Sequence, residues 1–563
     1  MTGAERHIIS LAGVAIDLDL ARELPADRYL AEDWMPIARF PDDRGPEGLG
    51  TVLVGTVARE ADASLADALT HELGERVVFR AVESWEFRSA ILAVFEDVVA
   101  DGASNQLFDR NPALSAKVVF SLGQKGVLVA LGIVGVVLAV LWPRELAIGL
   151  ITVISLTFLA GTAFKFIVSM SGARFDVVER ITAAEVASLN DSELPVYTIL
   201  VPVFHEANIV ANLIDNLGGI DYPAHRLEVL ILCEEEDDET QDAISAAHPP
   251  ANFHLVIVPA GYPQTKPRAC NVGLYLASGE LLVIYDAEDT PDPDQLKKAV
   301  IAFDRNGEET VCVQAALNYF NSTENVLTRM FTLEYSYWFD YMLAGLDARN
   351  LPIPLGGTSN HFRTASLIEL GGWDPYNVTE DADLGIRASA LGYRVGVINS
   401  TTMEEANTSA PNFIRQRSRW IKGYMQTTLV HARRPGALIR QIGLRRFASF
   451  SLLIGGTPAT FLGVLPLYLL TLVALVAPTA FLSSLFPVWL LWICLLNFLI
   501  GNGIMVYLSM MGPYKRATFK LILWALLNPF YWLLHSIAAY KALWQLLTRP
   551  HYWEKTEHGL TNQ

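Results

Sequence analysis

The chain has few cysteines and few charged residues for its length. Its cysteines, at Cys233, Cys270, Cys312 and Cys494 among 563 residues, lack the close spacing of a zinc site or a disulfide framework. This sparse use of cysteine fits a reducing compartment. Charged residues make up only 18% of the chain and hydrophobic residues 52%, which is unlike an ordinary soluble enzyme and predicts membrane-spanning segments.

Basic charge is also scarce. Lysine and arginine total 42 against 60 acidic residues, a net charge of −18, so the chain lacks the broad basic field that nucleic-acid binding requires. A chain of this length exceeds what one hydrophobic core usually serves, and several domains are expected. The polar, acidic stretch after Ile9 predicts no cleavable signal peptide.

Apolar runs divide the chain into parts. Runs at 127–142 and 146–167 each approach the roughly 20 residues of a membrane-spanning helix, and their short link predicts a hairpin. Three more runs follow at 450–477, 488–511 and 521–547. We expect a small cytosolic α/β module at 1–115, a transmembrane hairpin at 125–170, a soluble α/β domain with interfacial helices at 195–435, a C-terminal transmembrane region at 448–547 and a tail at 548–563.

Basic residues beside the hairpin predict its orientation. Lys125 precedes it, and Lys165 and Arg174 stand at its far end, which favours a cytoplasmic location for the flanking soluble parts. The protein is therefore expected to be a multi-pass membrane protein with its soluble parts in the cytoplasm. Breaks at 455–458 and 528–529 leave open whether these runs are kinked spans or interfacial helices followed by spans, and with it the side of the C-terminus.

The N-terminal module has an α/β pattern of its own. Strands are predicted at 51–57 and 77–82, with helices at 63–73 and after Ser84 as a cap. This order resembles the N-terminal domain of type II secretion ATPases, which in some relatives binds cyclic di-GMP. The glycine-leucine signature of that domain is not found in this sequence, and docking of a protein partner is the alternative.

The soluble domain alternates strands with helical segments. Strands predicted at 197–203, 227–233, 253–258 and 280–285 imply a mostly parallel, doubly wound sheet. Acidic clusters follow several of these strands, and the carboxyl ends of parallel strands meet at one edge of a sheet. A ligand site is expected at that edge.

The last of these strands ends abruptly in Asp286, Glu288 and Asp289. Carboxylates packed so closely repel one another unless a divalent cation shares them. Their hard oxygen ligands suit Mg²⁺ or Mn²⁺, which are often held by one or two carboxylates plus substrate phosphates. The alternative is a strand followed by an acidic, solvated turn.

Three further clusters accompany this strand. They are Lys266 and Asn271 within 265–271, Glu380 and Asp381 after a glycine pair, and Gln416-Arg417-Ser418-Arg419-Trp420 just before the membrane. With these motifs in this order, the chain from 195 onward resembles a membrane-embedded family 2 glycosyltransferase, similar to bacterial cellulose synthase and exopolysaccharide synthases. The resemblance implies a GT-A fold, inserted between transmembrane helices.

The resemblance also implies a UDP-sugar donor. Asp286 and Glu288, with Asp289 nearby, would hold the metal against the two phosphates. The family more often has aspartate at both ends of this motif, so whether Glu288 or Asp289 is the working ligand stays open. Lys266 would add a positive charge to the same phosphates, and Asn271 would also belong to the donor side. A surface lysine in a polar loop is the alternative for Lys266.

The nucleoside would be bound after the first two strands. Glu206 and one of the acids Glu234, Glu235 and Glu236 would contact uracil and ribose, where the family usually has an aspartate pair. Alignment on Thr240 favours Glu234.

Asp381 would act as the general base for the acceptor hydroxyl, with Glu380 shaping its loop. On local grounds, this acid pair could equally cap the helix that follows.

The last motif would serve both substrates. Arg419 would pair with the pyrophosphate, and Trp420 would stack on the acceptor sugar. Gln416 and the glycine loop at 356–360, including Gly357, would line the acceptor side. The alternative for Arg419 and Trp420 is an interfacial anchor.

Together these features predict a processive, inverting hexosyltransferase that extends a polysaccharide and extrudes it across the membrane. One alternative is a non-processive enzyme that acts on a lipid-linked acceptor. Another is a catalytically weak membrane scaffold or nucleotide sensor, for which the unusual acids Glu288 and Glu234 would argue.

Overall fold

The computed structural model describes residues 9–40, 51–57, 63–174, 180–476 and 479–554. The chain divides into two compact units, of which the first holds residues up to Ala103 together with 234–236 and 256–261, and the second holds the rest. Of the predicted C-terminal tail, 555–563 lie outside the described residues.

The first unit contains a three-stranded sheet in which β3 pairs antiparallel with β4, and β4 pairs parallel with β5. A Cβ at Gly55 in β4 would lie 2.9 Å from Leu11 Cδ2, so packing there requires glycine. The predicted strands and helices are confirmed, although Ser84 begins its helix and does not cap it, and β3 was not predicted. The elements are β1 (Ser10–Leu11), β2 (Val14–Ala15), α1 (Leu18–Ala21), α2 (Ala26–Glu32), β3 (Trp34–Phe40), β4 (Thr51–Thr56), α3 (Ala63–Leu73), β5 (Arg76–Ala81), α4 (Ser84–Val94) and α5 (Glu96–Arg110), which continues into the second unit.

The predicted hairpin is formed by α6 (Leu122–Leu141) and α7 (Pro143–Gly172). A capping box of Ser121 and Gln124 begins α6, and Pro143 begins α7, where its missing N–H costs no helical hydrogen bond. A Cβ on Gly172 would lie only 2.0 Å from the carbonyl oxygen of Tyr341. The end of α7 is therefore in backbone contact with the soluble domain.

An eight-stranded sheet forms the centre of the soluble domain, in the order β10-β13-β11-β12-β9-β6-β7-β8. β6 is parallel to β7 and β9, and β11 is parallel to β13, whereas β12 is antiparallel to both its neighbours and β10 is antiparallel to β13. The strands are β6 (Tyr197–Val203), β7 (Leu227–Glu234), β8 (Phe253–Val258), β9 (Leu281–Ile284), β10 (Thr290–Pro291), β11 (Thr310–Tyr319), β12 (Asn360–Arg363) and β13 (Arg394–Glu404). The four predicted strands are confirmed, and the mostly parallel, curled sheet with its helices is a GT-A fold.

Helices alternate with these strands and cover the sheet. All four residues of β9 are buried, as expected for a strand covered on both faces. The helices are α8 (Ala183–Ala187), α9 (Val210–Gly218), α10 (Asp238–Ala246), α11 (Lys266–Leu276), α12 (Gln295–Asn306), α13 (Val326–Tyr337), α14 (Ala344–Ala348), α15 (Thr364–Glu369), α16 (Glu380–Ala390) and α17 (Ala410–His431), with a 3₁₀ turn at Ala224–Arg226 and a π-helical turn at Trp338–Leu343.

The C-terminal region is helical and apolar. It contains α18 (Pro435–Phe450), α19 (Gly456–Val476), α20 (Ala480–Ser484), α21 (Val488–Leu496), α22 (Asn502–Lys515) and α23 (Asn528–Thr548), with π-helical turns at Ser451–Gly455 and Asn497–Gly501 and a 3₁₀ segment at Phe519–Leu527. Among the described residues, five helical stretches are long and apolar enough to cross a membrane: Leu122–Leu141, Pro143–Gly172, Pro435–Val473, Val488–Lys515 and Phe519–Thr548. Their number agrees with the five predicted runs.

Both predicted helix breaks coincide with a change of helical geometry. At 455–458 the π-helical turn ends at Gly455 and α19 begins at Gly456, and a further departure from helical geometry, which was not predicted, lies at Gly443, where φ is 81°. Glycine adopts this left-handed value without steric cost. The break at Asn528 is confirmed as a change from 3₁₀ to α geometry, with Pro529 in the first turn of α23.

Candidate active site

The three acids after β9 take different positions. Asp289 is fully buried, and its Oδ2 accepts hydrogen bonds from the backbone N–H of Asp286 at 2.7 Å and from Thr358 Oγ1. Asp286 is about one-third exposed and accepts from Lys266 Nζ, while Glu288 is half-buried. Asp289 therefore closes the turn, whereas Asp286 and Glu288 are accessible to a ligand.

A fourth acid, Glu404, joins this group from the end of β13. Burial and the charges of Asp289, Asp286 and Glu288 raise the pKa of Glu404 well above its usual range. Burial, followed by Asp286 and Glu288, likewise raises the pKa of Asp289. The motif reasoning missed Glu404 because its position depends on the pairing of β13 with β11, in which Glu404 is opposite Tyr319.

These carboxylates suit a divalent cation that takes further ligands from phosphates. Within the described parts of the chain, no three His, Cys, Asp or Glu side chains form a complete metal-binding group. The Oδ1 atom of Asp289 is nevertheless buried without a hydrogen-bond partner, and the neighbouring acids add to burial in raising the pKa values of Asp289 and Glu404. Hard oxygen donors in an incomplete set fit Mg²⁺ or Mn²⁺ bound jointly by protein and substrate.

Lys266 connects the acids to the glycine loop. It is the first residue of α11, and its Nζ donates to Asp286 and, at 2.7 Å, to the carbonyl oxygen of Gly357. Burial lowers the pKa of Lys266, but Asp286, Glu380 and the other nearby groups together outweigh burial and hold the pKa above its usual value. A positive charge is thus kept beside the metal-binding acids, and the side chain is only 18% exposed rather than a solvated surface lysine.

The acid pair lies in the first turn of α16. Burial is the main cause that raises the pKa of Asp381 to about 6 and that of Glu380 to about 8. Asp381 Oδ1 accepts from the backbone N–H of Ala382, and the cap position is occupied by Thr379, whose side chain makes no capping hydrogen bond. A Cβ on Gly357 would lie 3.5 Å from Asp381 Oδ2, so the glycine loop borders this carboxylate closely.

Helix α17 carries the last motif and packs its members differently. Arg419 lies near Glu380, Asp286 and Asp381, whose charges oppose the burial that lowers its pKa, and its guanidinium stacks on Trp553 at 4.4 Å. Gln416 is buried, and its Oε1 accepts from Asn407 Nδ2 at 2.8 Å. Arg419 therefore lies beside the acids of the site, whereas the Gln416 side chain is hydrogen-bonded to Asn407, which precedes the helix.

Trp420 belongs to an aromatic cluster. Its ring lies 6.3 Å from that of Phe331 and 6.2 Å from that of Tyr335, and the Arg417 guanidinium lies 4.5 Å from its centre. Arg417 forms two hydrogen bonds, at 2.7 and 2.6 Å, to Glu334 on α13. The half-buried Trp420 ring is therefore held by a charged and aromatic frame, of which the motif reasoning singled out only the tryptophan.

Loops after β6 and β7 are joined by hydrogen bonds. Thr240 Oγ1 accepts from the backbone N–H of Glu206 at 3.1 Å, and the buried Asp237 accepts from the backbone N–H groups of His205 and Thr240. Burial raises the pKa of Asp237, but these hydrogen bonds outweigh burial and leave the pKa below its usual value. Asp237, which the sequence reasoning did not select, is thus the acid that holds these loops together.

Glu234 and Asn271 are two further residues that were predicted to bind the donor. Glu234 is the last residue of β7 and is buried, and Glu235 accepts from the backbone N–H of Ala260 at 3.1 Å. Asn271 Nδ2 donates to the carbonyl oxygen of Trp373 at 2.9 Å, and Asn271 Oδ1 accepts from the backbone N–H of Trp373 at 3.0 Å. The donor roles of Glu206, Glu234 and Asn271 stay predictions, and Asn271 also holds the glycine-pair turn.

The fold and this edge of the sheet define the class of protein as a GT-A domain with an acid-lined site. Residues 195–423 match the family model described as "Glycosyltransferase like family 2". The chain therefore contains a glycosyltransferase family 2 domain.

Several similar proteins are named glycosyltransferases or mannosyltransferases. Probable glycosyltransferase YdaM of Bacillus subtilis (strain 168) is 27% identical over 43% of this chain and 58% of its own length. Glucomannan 4-beta-mannosyltransferase 2 of Arabidopsis thaliana is 28% identical over 42% of this chain and 45% of its own length, so the match spans about half of these relatives. Among solved structures, a mannosyltransferase from Pyrobaculum calidifontis in complex with GDP-Man and Mn²⁺ is similar over 71% of this chain and 99% of its own, with 18% identity and a TM-score of 0.47.

Proposed function

We propose that this protein transfers a hexose from a nucleoside diphosphate sugar to a growing polysaccharide and passes the polymer through its own apolar helices. The observation that carries the proposal is that residues from five separate segments border one site at the sheet edge. They are Lys266, Asp286, Gly357, Asp381 and Arg419. A basic pair beside acids that crowd negative charge suits a diphosphate bound together with a cation.

In the proposed reaction, Asp381 accepts the proton of the acceptor hydroxyl as its oxygen bonds to the anomeric carbon. The bond from that carbon to the diphosphate oxygen breaks on the opposite face, which inverts the configuration. Lys266 and Arg419 bind the departing diphosphate. Asp286 and Glu288 would hold a Mg²⁺ or Mn²⁺, which supplies charge neutralisation for the leaving group. Trp420 would support the acceptor sugar within its aromatic frame.

The names of the relatives support a polymer product. Two of the similar plant proteins are named glucomannan 4-beta-mannosyltransferases, which favours a hexose polymer and brings mannosyl donors beside the UDP-sugars implied by the family resemblance. Five apolar helical stretches support a location in a membrane, and the proposed site is the bacterial inner membrane with the catalytic domain in the cytoplasm. Cyclic di-GMP or a protein partner at the N-terminal module stays a prediction.

The first test is release of nucleoside diphosphate by the purified, detergent-solubilised protein from a panel of UDP- and GDP-sugars with Mn²⁺, Mg²⁺ or chelator. We expect turnover of one donor, lost with chelator, and a product that grows in length. A single-sugar lipid product would replace polymer extrusion by transfer to a lipid-linked acceptor. Absence of turnover with every donor, also with cyclic di-GMP added, would favour the scaffold alternative.

Asp381→Asn tests the assignment of the base. Because the amide cannot accept the acceptor proton, we expect transfer to fall by about 10²–10⁴-fold while donor binding is kept. Glu380→Gln is the matched control on the same helix turn and should lose much less. Equal losses in the two variants would contradict the role of Asp381.

A further inference from the structure

A cavity of about 360 Å³ lies on the soluble domain where it meets the end of α22. Its walls come from the middle of β11, from β13 at 397–401, from the π-helical turn Trp338–Leu343 and from the last residue of α22. The proposed catalytic and donor-binding residues are not among those that line it. The volume falls within the range of small-ligand pockets, so the cavity can hold a compact polar group.

The cavity is lined by three cations, Arg180, Lys515 and Arg516, and by one carboxylate, Asp340. Both oxygens of that carboxylate accept from Arg516, at 2.6 and 2.8 Å. Lys515 Nζ donates to the carbonyl oxygens of Asp340 and Gly172, which anchors it at the wall. Positive charge therefore exceeds negative charge around the cavity, which favours an anionic occupant.

The residue after Arg180 is held at the cavity by a pair of hydrogen bonds. The side chain of Asn399 on β13 accepts from the backbone N–H of Ile181 at 2.9 Å and donates to its carbonyl oxygen at 3.0 Å. This fixes the chain beside Arg180 to the strand. The planar fork of an arginine binds phosphate oxygens in a bidentate manner, and Asn399, Ser400 and Thr401 add neutral polar groups to the same wall.

The position of the cavity also indicates its source of ligands. Lys515 is the last residue of the apolar stretch Val488–Lys515, so the cationic wall begins where that helix leaves its membrane-spanning length. Phe339 and Leu343 give the cavity an apolar side. Basic pockets at the ends of membrane helices suit the headgroups of anionic lipids.

We propose that this cavity binds a phosphate group, carried by the headgroup of an anionic membrane lipid or by a free phosphate. Arg180, Lys515 and Arg516 supply the charge, and the polar residues of β13 supply further hydrogen bonds. The site is separate from the donor site and does not depend on the proposed reaction.

The cavity is connected to the glycine loop through Gln314. This lining residue accepts from the backbone N–H of Gly356 at 2.8 Å and donates to the carbonyl oxygen of Thr358 at 2.9 Å. Gly357 between them contacts Lys266. An occupant that restrains Gln314 would therefore restrain the loop that borders Asp381, so lipid composition would alter the acceptor side of the active site.

The test is direct binding to the full chain in nanodiscs. Native mass spectrometry would measure retention of phosphatidylglycerol in discs of phosphatidylcholine with and without phosphatidylglycerol, and inorganic phosphate would be titrated against discs of phosphatidylcholine alone. We expect Arg180→Glu to lower affinity by about tenfold or more, as loss of a charge-assisted hydrogen bond implies. Arg76→Glu, on an exposed arginine of β5 outside the cavity and outside the apolar stretches, is the matched control and should bind like the unaltered protein.

Each outcome decides between sources or against the site. If phosphatidylglycerol is retained and inorganic phosphate displaces it, the ligand is a lipid headgroup. If phosphate binds but no lipid is retained, the ligand is a free phosphate. Arg180→Lys keeps the charge but not the planar fork, so its affinity should lie between those of the unaltered protein and Arg180→Glu, which separates loss of the site from misfolding. Equal binding by Arg180→Glu and Arg76→Glu, or no binding of either probe, would overturn the proposal.

Discussion

Asp381 is poised to change its charge close to physiological pH. Burial raises its pKa from the usual 3.8 to about 6, while Lys266 and Arg419 act in the opposite direction. Its neighbour Glu380 has a pKa raised to about 8 by burial and by Asp381 itself, so Glu380 keeps its proton at neutral pH. One negative charge is therefore carried by the pair, and Asp381 is the member able to accept a proton.

This arrangement predicts a pH dependence of transfer. A general base must be ionised, and a raised pKa means that the ionised form is lost as the pH falls through about 6. We expect kcat/KM to rise with pH through that value and to level off above it, as measured by nucleotide release at constant ionic strength. Tyr424, another titratable group near Asp381, has a raised pKa and stays neutral over this range. A profile that is flat down to the ordinary pKa of aspartate would exclude Asp381 as the titrating base.

At the scale of elements, α16 and α17 must approach closely to place Asp381 beside Arg419. Gly423 on α17 allows this contact, because a Cβ there would lie 2.1 Å from Thr379 Oγ1 and 2.6 Å from Thr379 Cβ. Thr379 directly precedes the acid pair, so pressure at this point is transmitted to Asp381 through the chain.

Gly423→Ala should therefore impair catalysis although alanine favours helices. Overpacking costs about 1–3 kcal/mol, and a displacement of catalytic groups by about 1 Å can lower the rate about 10²-fold. We expect kcat to fall while circular dichroism shows unchanged helix content. Gly218→Ala on α9, where a Cβ would have no neighbour within 4 Å, is the control. Full activity of Gly423→Ala would show that the two helices can separate freely.

A second element contact joins α13 to α17. Burial raises the pKa of Glu334, but the Arg417 guanidinium and other partners bring it down to about 2. Tyr531 on α23 donates to the same carboxylate at 2.8 Å. The apolar C-terminal helix is thereby connected to the residue pair that frames Trp420.

Glu334→Gln leaves the Arg417 charge without its carboxylate in a buried place. Removal of one partner of a buried ion pair costs at most about 3–5 kcal/mol, and we expect a lower unfolding midpoint together with a raised KM for the acceptor. The KM for the donor should change little, because Arg419 and Lys266 are not part of this frame. Glu193→Gln on the exposed surface is the control. A change in stability without any change in acceptor KM would assign the pair a structural role alone.

At the scale of the whole molecule, the α6–α7 hairpin determines the topology. Its tip at Glu145 is 59% exposed, and its two ends lead to soluble segments that must lie on the same side of a membrane. Basic residues at those ends favour the cytoplasm.

Cysteine accessibility measures this topology. In a background with Cys494→Ala, Glu145→Cys should react with a membrane-impermeant maleimide in intact cells, because the proposed orientation places the tip outside. Asp304→Cys in the soluble domain should react only after permeabilisation. Labelling of Asp304→Cys but not of Glu145→Cys before permeabilisation would reverse the proposed orientation. Labelling of both positions, or of neither, before permeabilisation would exclude a spanning hairpin.

Local sequence patterns determined the strands, the apolar helices and the residue types of the site. The run before Asp286 predicts a buried strand because unbroken apolar residues need cover on both faces, and β9 has it. Membrane-spanning lengths follow from hydropathy in the same way, since every apolar side chain of a span must avoid water. The mostly parallel sheet and the apolar helices could therefore be predicted from these patterns, whereas the GT-A fold was implied by the family resemblance that the motifs carry.

Only the tertiary structure decided which of those residues meet. Asp289 turns inward because Thr358, distant in the chain, supplies its hydrogen bond, and Asn271 serves the backbone of Trp373. Glu404 joins the acids through the pairing of β13 with β11, and Arg417 finds Glu334 through helix packing. Contacts between segments far apart in the chain depend on strand order and helix packing, which the whole core determines together and which no local pattern contains.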